Sequence, residues 1–196
     1  MSGLFLASQI FLWIAVGVLG VLVAALARQV GVLHERIAPA GALTLHQKLN
    51  TGDKAPEMTL SSLDGAEVRI AGRRQGRSQL LFFLSPDCPV CKMLLPVLKS
   101  ASSAEADWLD VVLASDGDPA QHRRLVMAED LARFPYVLSE ALGRSLGVSK
   151  LPYAVLLDEE GRIAALGLIN NREHLESLFE AKERGVASIQ QYLARA

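Results

Sequence analysis

Apolar residues along the chain form one long run at the start and only short blocks afterwards. Residues 4–27 are 24 in number, and only Ser8 and Gln9 among them are strongly polar. As a helix this run would be about 36 Å long at ~1.5 Å per residue, against a hydrocarbon core of about 30 Å. The pattern predicts a transmembrane anchor over 1–27, followed by a juxtamembrane linker over 28–50.

A cleaved signal peptide is the alternative for this segment, because Ala25-Leu26-Ala27 has the small-x-small form of a cleavage site. The length of the run and the lack of a basic residue before it favour an uncleaved anchor.

From residue 51 onward, strand-like blocks alternate with helical patterns, which predicts one domain over 51–196. Asp64-Gly65 between alternating runs predicts a β-hairpin. Interleaved strands and helices predict an α/β fold with a mixed sheet flanked by helices. The predicted strands cover 79–84, 109–114, 135–138, 154–158 and 162–168. The predicted helices follow Cys88 and cover 120–133, 139–146 and 171–184, with a possible extension over 186–193.

The composition favours a globular domain and gives no support to nucleic-acid binding. With 51% hydrophobic residues among 196, the chain can bury a full core. Twenty basic residues against 21 acidic ones give no excess of positive charge that would favour nucleic-acid binding.

Cys88-Pro89-Val90-Cys91 contains both cysteines of the chain, between a predicted buried strand and a predicted helix. Zinc sites use about four ligands, and the four histidines show no ligand spacing to each other or to this pair. The sequence therefore favours a redox dithiol over a metal site.

A helix N-terminus stabilises an anion through its unpaired N–H groups and its dipole. Cys88 is therefore expected to be the attacking thiolate and Cys91 the resolving thiol. Pro89 suits the first helical position, where its missing N–H costs nothing. The carboxylate of Asp87 opposes the thiolate, but weakly because we expect it to be exposed.

Pro96, five residues after Cys91, and Pro152, before a downstream strand, make the chain resemble the thioredoxins. The resemblance implies that Pro96 kinks the active-site helix. It also implies a cis Leu151–Pro152 bond that faces the disulfide and presents the backbone of a protein partner. Tyr153 is a candidate for the same substrate groove.

The Gly52-x-x-Ala55-Pro56 opening and the Asp64-Gly65 hairpin resemble membrane-anchored, peroxiredoxin-related thioredoxins. Together with the Ser85–Lys92 string and the predicted anchor, they resemble the MauD family of methylamine utilization proteins. That resemblance implies a domain facing the periplasm from the inner membrane. It also implies a protein client, the disulfide-rich small subunit of methylamine dehydrogenase. A redox-recycling partner would be needed, and no cofactor, since sulfur carries the chemistry.

Two features depart from these expectations. Thioredoxins carry a buried Asp on the strand before the dithiol, whereas Leu81-Phe82-Phe83 has no carboxylate, so the proton path of Cys91 is unassigned. Basic residues also follow the predicted anchor and none precedes it, which by charge alone would place the domain in the cytoplasm. We follow the resemblance and expect the periplasm.

Other functions stay open at this stage. A cytochrome c maturation reductase would share the anchor, the hairpin and the dithiol. A peroxidase is disfavoured because Ser85-Pro86-Asp87 only partly imitates the Thr and Arg that peroxide reduction uses. A copper or assembly chaperone is disfavoured because 148–153 lacks the histidine that copper-delivering relatives place there. The basic loop Gly72–Arg77 is expected to be solvated, or alternatively to contact acidic lipid head groups or a partner.

Overall fold

The computed structural model describes residues 3, 8–23 and 49–184 of the chain. The chain divides into two compact units, Met1–His46 and Gln47–Ala196.

In the first unit, residues 8–23 are helical and every one of them is exposed. Within the described part of the chain, no helix combines the length and the apolar character needed to cross a membrane. The rest of the predicted anchor and most of the predicted linker lie outside the described residues, as does the predicted helical extension over 186–193.

The second unit contains a five-stranded mixed sheet and a separate two-stranded hairpin. The sheet has the order β5-β4-β3-β6-β7, and the hairpin is β1-β2. β4 runs parallel to β3 and β5, whereas β6 runs antiparallel to β3 and β7. The elements in chain order are β1 Met58–Ser61, β2 Glu67–Ile70, β3 Ser78–Phe83, α1 Pro89–Ala104, β4 Leu109–Ser115, α2 Pro119–Ala128, β5 Tyr136–Leu138, α3 Glu140–Ser145, β6 Tyr153–Leu157, β7 Ile163–Leu168 and α4 Arg172–Arg184. The predicted α/β fold with a mixed sheet flanked by helices and an N-terminal hairpin is confirmed.

β3 is the central strand of the five-stranded sheet, and its side chains are buried on both faces. Successive side chains of a strand point to opposite faces. Leu80 and Phe82 accordingly belong to one apolar cluster with residues of α1, α2 and α4. Leu81 and Phe83 belong to a second cluster with residues of β2 and α3. This two-sided burial holds the carboxyl end of β3, from which the dithiol loop departs.

The helices begin where the sequence indicates, since side-chain oxygens accept hydrogen bonds from N–H groups of the first turn. Ser139 accepts one from the Leu142 N–H of α3 at 3.1 Å. Asn171 accepts one from the His174 N–H of α4 at 2.8 Å. Asp118 caps α2 in the same way, at 3.0 Å from the Ala120 N–H.

The prediction that α2 extends to Arg133 is wrong, because the helix ends at Ala128. Asp130 adopts a positive φ of 49°, which a helix interior does not allow. The chain then turns so that the Leu131 N–H donates to the Val126 carbonyl at 3.0 Å. Leu131 is fully buried as a result. The burial of Leu131 therefore outweighs the amphipathic pattern that predicted a helix as far as Arg133.

The expectation that the basic loop is simply solvated is wrong for two of its arginines. Arg74 and Arg77 each form a 2.6 Å ion pair with Asp110, near the start of β4. Arg77 also donates to the carbonyl oxygens of Ala106 and Asp107 at 3.1 and 2.8 Å. The loop therefore joins β3, β4 and the segment after α1.

Candidate active site

Cys88 and Cys91 are joined by a disulfide at the N-terminus of α1, with their Cα atoms 5.2 Å apart. Cys88 is the N-cap residue in extended conformation, and Pro89 occupies the first turn, as predicted. The half-buried Cys88 is open to a partner, whereas Cys91 is fully buried. An incoming thiol can therefore reach the sulfur of Cys88 but not that of Cys91.

One backbone amide contacts the Cys88 sulfur, and a second closes its loop. The Cys91 N–H donates to Cys88 Sγ at 3.1 Å. The Cys88 N–H itself donates to the Ser85 carbonyl at 3.1 Å, which closes the loop between β3 and α1. When the pair is reduced, the same Cys91 N–H and the helix N-terminus favour a thiolate at Cys88. The charged neighbours Asp87 and Lys92 are both exposed.

The Leu151–Pro152 peptide bond is cis, as the resemblance implied. Antiparallel pairing places Tyr153, the first residue of β6, opposite Phe83, the last residue of β3. Pro152 therefore lies at the sheet edge from which the dithiol loop departs. Pro152 is buried and its carbonyl accepts from the Ile169 N–H at 3.1 Å, while Leu151 is 40% exposed. The cis-proline loop thus offers an apolar side chain on the same edge as the disulfide.

For two further residues predicted from the sequence, Tyr153 and Pro96, the described part of the structure shows no hydrogen bond with the disulfide. Tyr153 is half-buried, and burial raises the pKa of its phenol, so it stays protonated. Pro96 lies inside α1 with its ring exposed, on the side of the helix away from the core. A substrate-groove role for Tyr153 and a supporting role for Pro96 stay predictions.

No buried carboxylate accompanies the resolving thiol. Phe82, fully buried, belongs to the same apolar cluster as Cys91. Over the residues that the structure describes, the buried polar side chains are Ser62, Ser78, Gln79 and His122, none of them acidic. Nor do three His, Cys, Asp or Glu side chains come close enough to hold a metal ion anywhere in those ranges. Among the described residues, the buried surroundings of the dithiol are therefore apolar and uncharged, and its charged neighbours Asp87 and Lys92 are exposed.

A polar group at this end of the sheet was not anticipated from the sequence. The Ser115 hydroxyl donates to the Leu84 carbonyl at 2.6 Å and so ties β4 to the chain just before the dithiol loop. Nearby, His122 is 2% exposed and contacts the Tyr136 hydroxyl at 2.7 Å and the Asp116 carbonyl at 2.8 Å. Because a carbonyl only accepts, the nitrogen facing Asp116 must carry a proton. Histidine spacing alone gave no indication of this contact.

Known proteins resemble this chain in both sequence and fold. The Redoxin family profile matches residues 50–182. The methylamine utilization protein MauD of Paracoccus denitrificans is 47% identical over 99% of this chain and 96% of its own. MauD of Methylorubrum extorquens is also 47% identical, over 96% of this chain and 91% of its own. The crystal structure of a putative thiol:disulfide interchange protein DsbE from Chlorobium tepidum aligns with a TM-score of 0.60 and 21% identity, covering 68% of this chain and 98% of that one.

The fold and the half-open dithiol define a thioredoxin-like thiol–disulfide oxidoreductase. Within that class, the sequence identity of 47% to MauD proteins over almost the whole chain narrows the family further. The chain belongs to the redoxin family and, in it, to the MauD proteins of methylamine utilization.

Proposed function

We propose that this protein is a membrane-anchored thiol–disulfide oxidoreductase that matures the small subunit of methylamine dehydrogenase in the periplasm. The observation that carries the redox part is the disulfide at the mouth of α1, with Cys88 open and Cys91 buried. The names of its MauD relatives support the link to methylamine utilization.

The exchange proceeds through one covalent intermediate. A client thiolate attacks Cys88 Sγ, the S–S bond breaks, and Cys91 leaves as a thiolate that takes up a proton. A second client thiol then displaces Cys88, so that the client gains a disulfide and the protein keeps two electrons and two protons as a dithiol. A recycling partner in the membrane or the periplasm must accept them. In the reverse direction, Cys91 resolves the same intermediate by attacking Cys88.

The anchor is supported by the first unit. Large apolar side chains of residues 8–23 are open to solvent, for example Phe11 at 74% and Trp13 at 69% exposure. Exposed apolar surface of this kind favours a lipid or protein environment. We propose a single-pass anchor in the inner membrane with the second unit in the periplasm. A reporter fused after residue 196 should be active in the periplasm, and activity confined to the cytoplasm would overturn this topology.

The client is tested by trapping. A Cys91→Ser variant cannot release a mixed disulfide from its own side, so it should accumulate the client on Cys88 in cells grown on methylamine. Cys88→Ser is the matched control and should trap nothing. Recovery of the methylamine dehydrogenase small subunit supports the proposal. Recovery of apocytochrome c instead would favour a maturation reductase, and stoichiometric copper(I) binding without disulfide turnover would favour a chaperone.

A further inference from the structure

A cavity of about 490 Å³ lies at the end of the sheet opposite the disulfide. It borders Leu109 at the start of β4 and Ser102 and Ser103 near the end of α1. α1 begins at the dithiol with Pro89, and Ser102 lies 13 residues further along it, so about 20 Å of helix separates the two places. The cavity therefore plays no part in the disulfide exchange.

The cavity has an excess of positive charge. Its charged lining consists of four guanidinium groups and two carboxylates, which leaves a formal charge of +2: Arg69, Arg74, Arg77, Arg133, Glu67 and Asp110. The whole chain carries −1, so the excess is local. Asp110 is the sole carboxylate shared by Arg74 and Arg77, at 2.6 Å from each.

Two of the four arginines form no close ion pair in the described part of the second unit. Arg133 donates to neutral oxygens, namely the Lys99 carbonyl at 2.7 Å and the Ser102 and Ser103 hydroxyls at 3.0 Å. These bonds, and the ring of Phe134 at 4.6 Å below the guanidinium, hold its charge in place. Arg69 is exposed and forms no ion pair with a described residue, although Glu57, which pairs with Lys54, also lies within reach of its charge. The charge of Arg133 is thus available to a ligand, and that of Arg69 is only partly offset.

The unpaired edge of β4 adds a backbone donor to the lining. β5 pairs only with Leu113–Ser115, so at Val111, which lines the cavity, β4 lacks this neighbour. The Val111 N–H points to the same side as that of Leu113, since the direction alternates along a strand. The lining therefore combines four guanidinium groups and one backbone N–H with two carboxylates and two serine hydroxyls.

From this arrangement we propose that the cavity is a binding site for a phosphate group. Guanidinium groups match the oxygens of phosphate and bind them through charge-assisted pairs of hydrogen bonds. A phosphate dianion also balances the +2 charge of the lining, which a single carboxylate does not. The group can be supplied as free phosphate or by the head group of an acidic phospholipid, whose phosphodiester presents two anionic oxygens and one negative charge.

The test is a titration of the full-length chain in an uncharged detergent with inorganic phosphate at constant ionic strength. Amide shifts near Val111, Ser102 and Ser103 should saturate. Arg69→Gln should weaken the affinity about tenfold, the loss of one charge-assisted contact. Arg133→Gln should do the same, but Arg69 is the cleaner site because its removal breaks no internal hydrogen bond. Arg123→Gln and Arg124→Gln, on the exposed side of α2, are the matched controls and should change nothing.

Soluble head groups separate the two sources. Binding of glycerophosphoglycerol as tight as that of phosphate, with none of the zwitterionic glycerophosphocholine, identifies a lipid head group. Binding of inorganic phosphate alone identifies the free anion. A response that does not saturate, or that is equally weakened by Arg69→Gln and Arg123→Gln, would show charge screening and overturn the proposal. Disulfide turnover should be unchanged in Arg69→Gln, so failure here leaves the proposed oxidoreductase function untouched.

Discussion

The two ends of the central sheet differ in the chemistry that they bury. At the carboxyl end of β3 the disulfide packs against apolar groups such as Phe82, and the charged neighbour Asp87 is exposed. At the amino end, Arg74, Arg77 and Asp110 form a partly buried ionic network. Disulfide exchange needs only sulfur, a helix N-terminus and access, so the reactive end can stay free of buried charge. The ionic groups lie at the other end, where Arg74 and Arg77 before β3 pair with Asp110 near the start of β4.

The largest effect is expected from the reactive end. Cys88→Ser should lower disulfide turnover by several orders of magnitude, because it removes the nucleophile. Cys91→Ser should also abolish turnover but still form one mixed disulfide per chain. Insulin or client disulfide exchange with thiol quantification measures both. Substantial turnover by the Cys88→Ser protein would mean that the open sulfur is not the reacting one.

A second experiment introduces a carboxyl group into the buried part of the reactive end, where no described residue carries one. Phe82→Asp places a carboxyl group in the buried cluster that contains Cys91. Both Phe82→Asp and the neutral control Phe82→Asn should cost about 3–5 kcal/mol of unfolding free energy, since each leaves a cavity. Desolvation raises the pKa of a buried Asp, so it could accept the Cys91 proton near neutral pH.

The Asp variant should therefore release mixed disulfides faster than the Asn variant, with a rate that rises as the carboxyl ionises. A stopped-flow pH profile of both variants measures this difference. Identical profiles would show that Cys91 finds its proton acceptor elsewhere and that the apolar setting does not limit the reaction.

Features set by neighbouring residues were predictable from the sequence. The strand before the dithiol follows from its continuous apolar run, and Ser139 and Asn171 cap their helices as the local pattern indicates. The start of α1 at Pro89, with Cys88 as its N-cap, was predictable because the chemistry of a helix terminus is local. The cis bond at Pro152 was inferred only through family resemblance.

Features that depend on distant contacts were not predictable. Arg74 and Arg77 meet Asp110 across more than 30 positions of sequence, so a loop pattern alone cannot reveal the pairing. The end of α2 is decided by burial of Leu131, which outweighs the helical propensity of its charged neighbours. The contact of His122 with Tyr136 joins α2 to β5 and leaves no trace in residue spacing.

Removing the shared carboxylate tests the amino end. Asp110→Asn leaves the guanidinium groups of Arg74 and Arg77 without their counter-charge. We expect a loss of about 1–3 kcal/mol, below that of a fully buried pair because Asp110 is 36% exposed. Asp107→Asn, an exposed neighbour whose carboxylate acts on Arg77 only at longer range, should cost less than Asp110→Asn. Urea denaturation measures stability, and a changed rate of disulfide exchange in Asp110→Asn would contradict the separation of the two ends.

The smallest effect is expected at Glu159, which accepts from Lys182 Nζ at 2.7 Å and, more weakly, from the Ser78 hydroxyl at 3.4 Å. The hydrogen bond from Lys182 is the main cause that lowers the pKa of Glu159 below its ordinary value of 4.5. A lowered folded-state pKa contributes stability that is complete above the unfolded-state pKa and is lost as the pH falls through the folded-state value. Because the pair is partly exposed, Glu159→Gln should cost only about 0.5–1 kcal/mol at pH 7.

That difference should disappear in acid, where Glu159 is protonated in both states and resembles Gln. Glu160→Gln changes the same charge at the next, exposed position and should show no such pH dependence. Denaturation midpoints of the three proteins between neutral pH and pH values below 4.5 provide the measurement. If the Glu159→Gln protein stays less stable in acid, the carboxylate acts through packing and not through its charge. The amino end would then owe less to electrostatics than the contrast with the disulfide end implies.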